Sequence, residues 1–361
     1  MAGHKNSRVR SFGFGELTAW RTKLPSVQFA VLPPGNTRPN PLVVGSRLFV
    51  SVFSPGAVCA LQRHDGRLIW RRELPKLAGA SVHVYKRSLF AQSPHTLYSL
   101  RPDSGEVVWS FCPYGTDHEY IYSSPSVHEG SVYIGDRRGF LHCLDVNTGE
   151  LIWRCRTNKA RNDDVNSTPI IAKRLVIVAT NANAVLAYEA STGKLAWRQK
   201  LDGPSVFGPL FFKRSVVVVG QHSLYLLNPE TGKVERHFVW KRSDIAFTES
   251  TPRNVMVALR GSGPPEGNSE VVLLNQSSIH RSGILHAYCL FFRYAPETRL
   301  IYASHLGGVD LCHPGTVEVL CRLRTTGRGG DTALVDVQER TIYALTGRGY
   351  VYALTHPNIQ S

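Results

Sequence analysis

Four short, irregular stretches of this 361-residue chain collect residues able to do chemistry. They are YGTDHEYIY with Asp117, His118 and Glu119; NKARNDDVN with Arg161, Asp163 and Asp164; KRSDIAFTES with Asp244 and Glu249; and TTGRGGDTA with Arg328 and Asp331. Hard cations such as calcium take several carboxylate oxygens, so acids from separate stretches could hold one if the fold gathered them, while Arg161 and Arg328 could clamp an anion through paired N–H donors. The plainer alternative is charge that only solvates a surface. His118 alone is a weak catalyst, because a general base needs a positioned partner and a reacting proton within reach. No G-x-S-x-G, H-E-x-x-H, Walker loop or dinucleotide fingerprint stands in a strand-turn-helix setting, and the glycines at Gly13 to Gly15 and Gly327 to Gly330 are too few and misplaced to cradle a phosphate.

What could gather these stretches is a repeat. VCALQRHDGRLIW ends at Trp70, LYSLRPDSGEVVW at Trp109, LHCLDVNTGELIW at Trp153 and VLAYEASTGKLAW at Trp197, and LYLLNPETGKVER carries Arg236 in the tryptophan place. The unit recurs about every 40 to 45 residues, the length of a four-stranded propeller blade. Within a unit, apolar residues alternate with a period near two and turn formers separate the runs, which predicts strands and no long helix. Gly105, Gly149, Gly193 and Gly232 stand where a tight hairpin needs positive φ. Small-residue and proline openings, as in SSPSV at Ser123 and STPII at Ser167, mark the start of inner strands.

Counting the openings predicts an all-β, eight-bladed propeller of four-stranded antiparallel blades, with seven blades as the alternative. LTAWRTKL around Trp20 resembles a last strand without its blade, and the C-terminal TIYALTGRGYVYALTHP lacks a last strand, so the first should complete the last blade. The expected organisation is one domain over residues 1–361, with residues 1–15 a flexible basic terminus and residues 260–270 a loop insertion. Between Trp240 and Val319 the repeat decays, and Val319 is placed at the tryptophan position.

The turn sequence and terminal tryptophan resemble the pyrroloquinoline-quinone-like (PQQ-like) repeat family, whose blades carry a pattern close to AxDxxTGxxxW. The resemblance implies a propeller in which Trp20, Trp70, Trp109, Trp153 and Trp197 pack between blades, and it is strong for fold but weak for function. That family includes quinoprotein dehydrogenases, the propeller lipoprotein of the outer-membrane assembly machine, and non-enzymatic sensor and scaffold propellers. Its alcohol dehydrogenases are longer, carry an adjacent cysteine pair beside the quinone, and bind calcium through Glu, Asn and Asp. Here the first cysteine is Cys59, no two of the seven are adjacent, and no insertion is large enough to roof a quinone.

A propeller would bring the linkers between blades to one channel mouth, which is where the four charged stretches fall. The resulting expectation is a non-enzymatic scaffold that binds a protein or small ligand at that mouth, without a cofactor and as a monomer. One alternative is a PQQ- or metal-dependent oxidoreductase using the same mouth with calcium; another is recognition of an acidic partner, nucleic acid included, through the net charge of +15. Apolar residues at 42% and charged ones at 19% fit a globular chain, and no run of about 18 apolar residues predicts a spanning helix. The opening residues lack an apolar leader, so the chain as written is expected in the cytoplasm, and exported if a leader precedes it.

Overall fold

In a computed structural model, residues 9–24, 41–52, 56–74, 82–93, 95–114, 123–157, 164–165, 167–203, 205, 207–220, 222–239, 244–260, 269–275, 279–285, 289–305, 307–325 and 333–359 are described. They form eight sheets, each with four antiparallel strands, to one of which a fifth, parallel strand is added at the edge. Blade 1 is Pro41–Val44, Arg47–Val52, Ala57–Gln62 and Leu68–Glu73; blade 2 is His83–Tyr85, Ser88–Gln92, Leu97–Leu100 and Val107–Phe111. Blade 3 is Ser126–His128, Ser131–Gly135, Phe140–Asp145 and Leu151–Arg156; blade 4 is Ile170–Ala172, Leu175–Thr180, Ala184–Glu189 and Leu195–Lys200. Blade 5 is Phe207–Phe212, Ser215–Val219, Ser223–Leu227 and Val234–Val239; blade 6 is Asp244–Ser250, Val255–Arg260, Ser269–Leu274 and Ile279–Leu285. Blade 7 is Cys289–Ala295, Leu300–His305, Gly308–Cys312 and Val319–Arg324. Blade 8 joins Ala333–Gln338, Thr341–Thr346 and Tyr350–Thr355 to the N-terminal strand Thr18–Lys23, as the expectation for Trp20 required. The count is eight, and the seven-blade alternative falls.

Burial explains why each strand has its sequence. Second and third strands lie between neighbouring blades and are apolar along their length, as in LVIVAT of blade 4, where every residue is buried. The outer strand LIWRCR of blade 3 alternates exposed and half-buried positions over its last four residues. The core is accordingly a series of layers between blades. One layer joins Leu48, Val50 and Cys59 of blade 1 to Tyr343, Leu345 and Val351 of blade 8.

Each repeat tryptophan is a joint. Trp153 of blade 3 donates its indole N–H to the Ala190 carbonyl of blade 4 at 3.0 Å, and a Cβ on Gly193 would stand 2.6 Å from its ring. Gly193 must also hold φ 70°, so the turn glycine is required twice, by its backbone and by the neighbour's indole. Trp20, Trp70, Trp109 and Trp197 donate in the same way to the next blade.

Blade 7 departs from the expected alignment. Cys321, not Val319, holds the tryptophan register, opposite Leu311, and Val317 takes the left-handed position at φ 59° that glycine takes elsewhere. The preceding blade has Gly283 at its tryptophan register, so no indole arrives there, and buried Val317 packs with Met256, Val271 and Leu273 of that blade instead. At the N-terminus a flexible basic segment was expected over residues 1–15; residues 1–8 lie outside the described residues, and residues 10–15 lie in regular elements. Arg10–Gly13 pairs parallel with the outer strand of blade 7, and Phe14, in the single helical turn Phe14–Leu17, is buried edge-on against Tyr352 at 5.3 Å. The apolar Phe12 and Phe14 explain the docking. Of the expected insertion, Arg260, Ser269 and Glu270 lie in strands, and 261–268 fall outside the described residues. No helix among the described residues is long and apolar enough to cross a membrane.

Candidate functional site

Strand order places the blade-to-blade linkers and the turns between second and third strands at one end of the propeller. Of the residues expected there, Asp117, His118, Glu119, Arg161, Asp163, Arg328 and Asp331 lie outside the described residues. Asp244 and Glu249 share the first strand of blade 6, paired with Arg260 and Met256. Five residues apart, they are separated by roughly 17 Å along the strand, so Asp244 stands at the linker end and Glu249 beside the opposite turn. Asp164 is described at the mouth end: its Oδ2 lies 3.7 Å from Arg137 Nε and accepts from Asn181 Nδ2 at 3.5 Å.

Beside Asp164 the structure builds a polar cluster that sequence reasoning missed. Asp136 opens the turn after the second strand of blade 3. Its Oδ1 accepts the backbone N–H groups of Arg138 at 2.8 Å and Phe140 at 3.0 Å, the local bonding that makes Asp a turn residue. Its Oδ2 accepts the Tyr114 hydroxyl at 2.5 Å and faces His142 Nε2 at 2.6 Å. Burial acts to raise the Asp136 carboxyl, but hydrogen bonds from His142 and Tyr114 and the Phe140 N–H outweigh it and hold the group below its ordinary value. Burial, then the bond to Asp136, pushes the Tyr114 phenol up. The Arg138 guanidinium lies 4.1 Å from the centre of the Tyr114 ring.

An Asp-His pair is the core of many general bases, yet this one is sealed. Both side chains are 1% exposed, His142 Nδ1 is buried without a hydrogen-bond partner, and Phe111 packs edge-on against the imidazole at 5.5 Å. A reacting proton cannot reach it. Its effect is mechanical: Tyr114, at the end of blade 2, is tied through Asp136 to the third strand of blade 3. The available signal was His142 itself, a polar residue breaking the apolar run of LHCLD.

The same kind of use recurs around the blades. Ser123, Ser167 and Ser205, all buried in linkers, each donate their hydroxyl to a carbonyl at the end of the following second strand, at 3.0, 2.8 and 2.8 Å. The serines of the small-residue and proline openings are therefore pins. In blade 5, Ser223 donates to Asp202 at 2.6 Å while His237 Nε2 stands 3.5 Å from the same carboxylate. A nucleophilic serine must give its proton to histidine, and this one gives it to the acid. Asp336, on the first strand of blade 8, accepts the Val43 N–H of blade 1 at 3.1 Å and pairs with Arg293 of blade 7 at 2.6 Å.

A quinone held with calcium would need uncommitted carboxylates. Asp136, Asp164 and Asp336 are already engaged by arginine, histidine, tyrosine, amide or backbone donors, and no group of three or more His, Cys, Asp or Glu gathers as metal ligands among the described residues. The described residues do not fit that group.

Comparison with known proteins agrees with the architecture. A family profile described as outer membrane protein assembly factor BamB, of the PQQ-like repeat type, matches residues 5–176, 93–236 and 167–288. Polyvinylalcohol dehydrogenase of a Pseudomonas species is 28% identical over 127 residues, 33% of this chain and 20% of that protein. The BamB of Escherichia coli K12 is 26% identical over 110 residues, 30% of this chain and 26% of that protein. The chain thus matches only about a quarter or less of the length of these curated relatives. The solved quinohemoprotein alcohol dehydrogenase of Comamonas testosteroni superposes with a TM-score of 0.73 at 12% identity, covering 94% of this chain and 76% of that one, which shows a shared fold. With the repeat tryptophans docked blade on blade and the profile spanning most of the sequence, the chain belongs to the PQQ-like repeat family of outer membrane protein assembly factor BamB.

Proposed function

We propose that this propeller is a non-enzymatic binding scaffold that takes a protein partner or small ligand at the mouth formed by its blade-to-blade linkers, with Asp117, His118, Glu119, Arg161, Asp163, Asp164, Asp244, Arg328 and Asp331 as the candidate contact residues and Glu249, toward the far end of its strand, as a less direct one. The observation that supports it is the commitment of Asp136, Asp336 and the buried linker serines to joints, with Asp136 and His142 sealed between blades 2 and 3. Kinship with an assembly factor favours a protein partner, and its outer-membrane name favours the exported setting over the cytoplasmic one. The test is photo-cross-linking in cells from Arg161 and Arg328. The same discrete partner should be captured from both and lost on Asp117→Lys with Asp163→Lys; capture from the rim residue Ile152 with none from the mouth contradicts the reading.

A second reading, an oxidoreductase using a quinone with calcium at the same mouth, draws support from the dehydrogenase relatives. A third, an acidic partner, draws support from the basic hairpins at the opposite end, such as Lys173 with Arg174 and Lys213 with Arg214.

A further inference from the structure

At the end of the propeller away from the linkers, turns of neighbouring blades meet and exchange ion pairs. Arg47, opening the second strand of blade 1, pairs with Asp103 in the outer turn of blade 2, and Lys173, in the inner hairpin of blade 4, pairs with Glu230 in the outer turn of blade 5. The blade 8 to blade 1 junction pairs in the reverse sense, Glu339 of the inner hairpin with Arg63 of the outer turn. Asp103 and Glu230 occupy one register. Each follows a proline, Pro102 or Pro229, and precedes by two the glycine whose N–H closes the turn, onto Arg101 at 2.8 Å or Asn228 at 2.9 Å.

In blade 7 the same closing bond runs from Val317 N–H to the His313 carbonyl at 2.8 Å. That alignment keeps the proline, as Pro314, and puts Gly315 at the register that Asp103 and Glu230 occupy in blades 2 and 5, where blades 1, 3 and 4 carry His64, Asn147 and Ser191. At this junction a cleft of about 390 Å³ opens, with Arg253 and Pro252 from blade 6 and Tyr294, Arg299, His313 and Pro314 from blade 7 in its walls. Among the described residues neither Arg253 nor Arg299 has a carboxylate partner. His313 Nδ1 accepts the backbone N–H groups of Gly315 at 3.1 Å and Thr316 at 3.2 Å, which leaves the ring proton on Nε2 as a donor.

We infer that the cleft between blades 6 and 7 binds a phosphate group, free or carried by a small organic monoester. A dianion with three acceptor oxygens matches guanidiniums supplied by two blades, an imidazole N–H and a phenol, whereas a carboxylate is satisfied by one guanidinium. The volume exceeds that of phosphate, and Pro252, Pro314 and Tyr294 offer apolar surface to an organic remainder. The site is independent of the mouth, and its failure leaves the scaffold reading untouched.

The test is calorimetric titration of the full chain with inorganic phosphate and with phenyl phosphate at physiological ionic strength. Saturable binding of either is expected, tighter for phenyl phosphate if the apolar wall contributes and equal if the site takes free phosphate. Arg253→Gln and Arg299→Gln should each weaken it tenfold or more. So should Gly315→Asp, which places a carboxylate in the cleft at the register of Asp103 and Glu230; a Cβ there meets only the His313 ring at 3.1 Å, and the melting temperature should not fall. Arg174→Gln, outside the cleft, should leave affinity unchanged. Absence of binding, or binding that persists in all three cleft variants, overturns the proposal.

Discussion

Asp136 accepts four hydrogen bonds at once, and the ionised carboxylate is what makes them strong. Because its folded value lies below the ordinary 3.8, the stability it contributes is present above that pH and is lost as the pH falls through the folded value. Asp136→Asn should therefore cost roughly 2 to 3 kcal/mol at neutral pH, with the gap from wild type shrinking below about pH 4. Melting temperatures across pH 7 to 3 check this; a constant gap contradicts it. The thiols give a second residue-level expectation. Burial pushes Cys59 and Cys321 up to about 11 and Cys155 up to about 12, while Cys112 is exposed. Mass-mapped alkylation of the native protein should modify Cys112 and spare those three, since the thiolate is the nucleophile. Turn formers between the strand runs were legible in the sequence, but the inward carboxyl of Asp136 was not, because Tyr114 and His142 reach it from two different blades.

At the scale of the element, the tryptophan and the glycine of successive blades form one unit. Trp153→Ala should destabilise by roughly 3 to 5 kcal/mol, and Gly193→Ala by about 1 to 3 kcal/mol from positive φ together with the clash on the indole. The two losses should not add: with Trp153 gone the clash is relieved, and a double-mutant cycle in denaturant should return a coupling of about 1 kcal/mol or more. Strict additivity would show that the indole does not press on the turn. The same pairing explains where reading failed. HPGT in blade 7 offers a glycine that mimics the turn, yet the left-handed residue is Val317, two positions later, because Gly283 supplies no indole to displace its side chain. Spacing alone could not reveal a register set by the neighbouring blade.

Across the whole molecule, the fold was legible because the repeat writes the same docking contact many times, and blade 8 confirms that the N-terminal strand belongs to the last blade. Removing residues 9–23 should strip blade 8 of its outer strand and blade 7 of its parallel neighbour, lowering the melting temperature and broadening the transition; an unchanged melt contradicts this role. The candidate site was legible only as a place. Linkers are free of the repeat's constraints, so Asp164 could be named but not its partners, and the anion cleft depends on Arg253 and Arg299 from different blades, which only the structure brings together. The central claim is that Asp136, Asp336 and the buried linker serines of this propeller are joints and that it acts by binding. Reconstitution of the purified full chain with pyrroloquinoline quinone and calcium, followed by absorbance and by dye reduction across a panel of alcohols, tests it most directly. The account predicts no saturable quinone binding and no turnover; saturable binding with dye reduction that is abolished by Asp163→Asn or Asp331→Asn would contradict it.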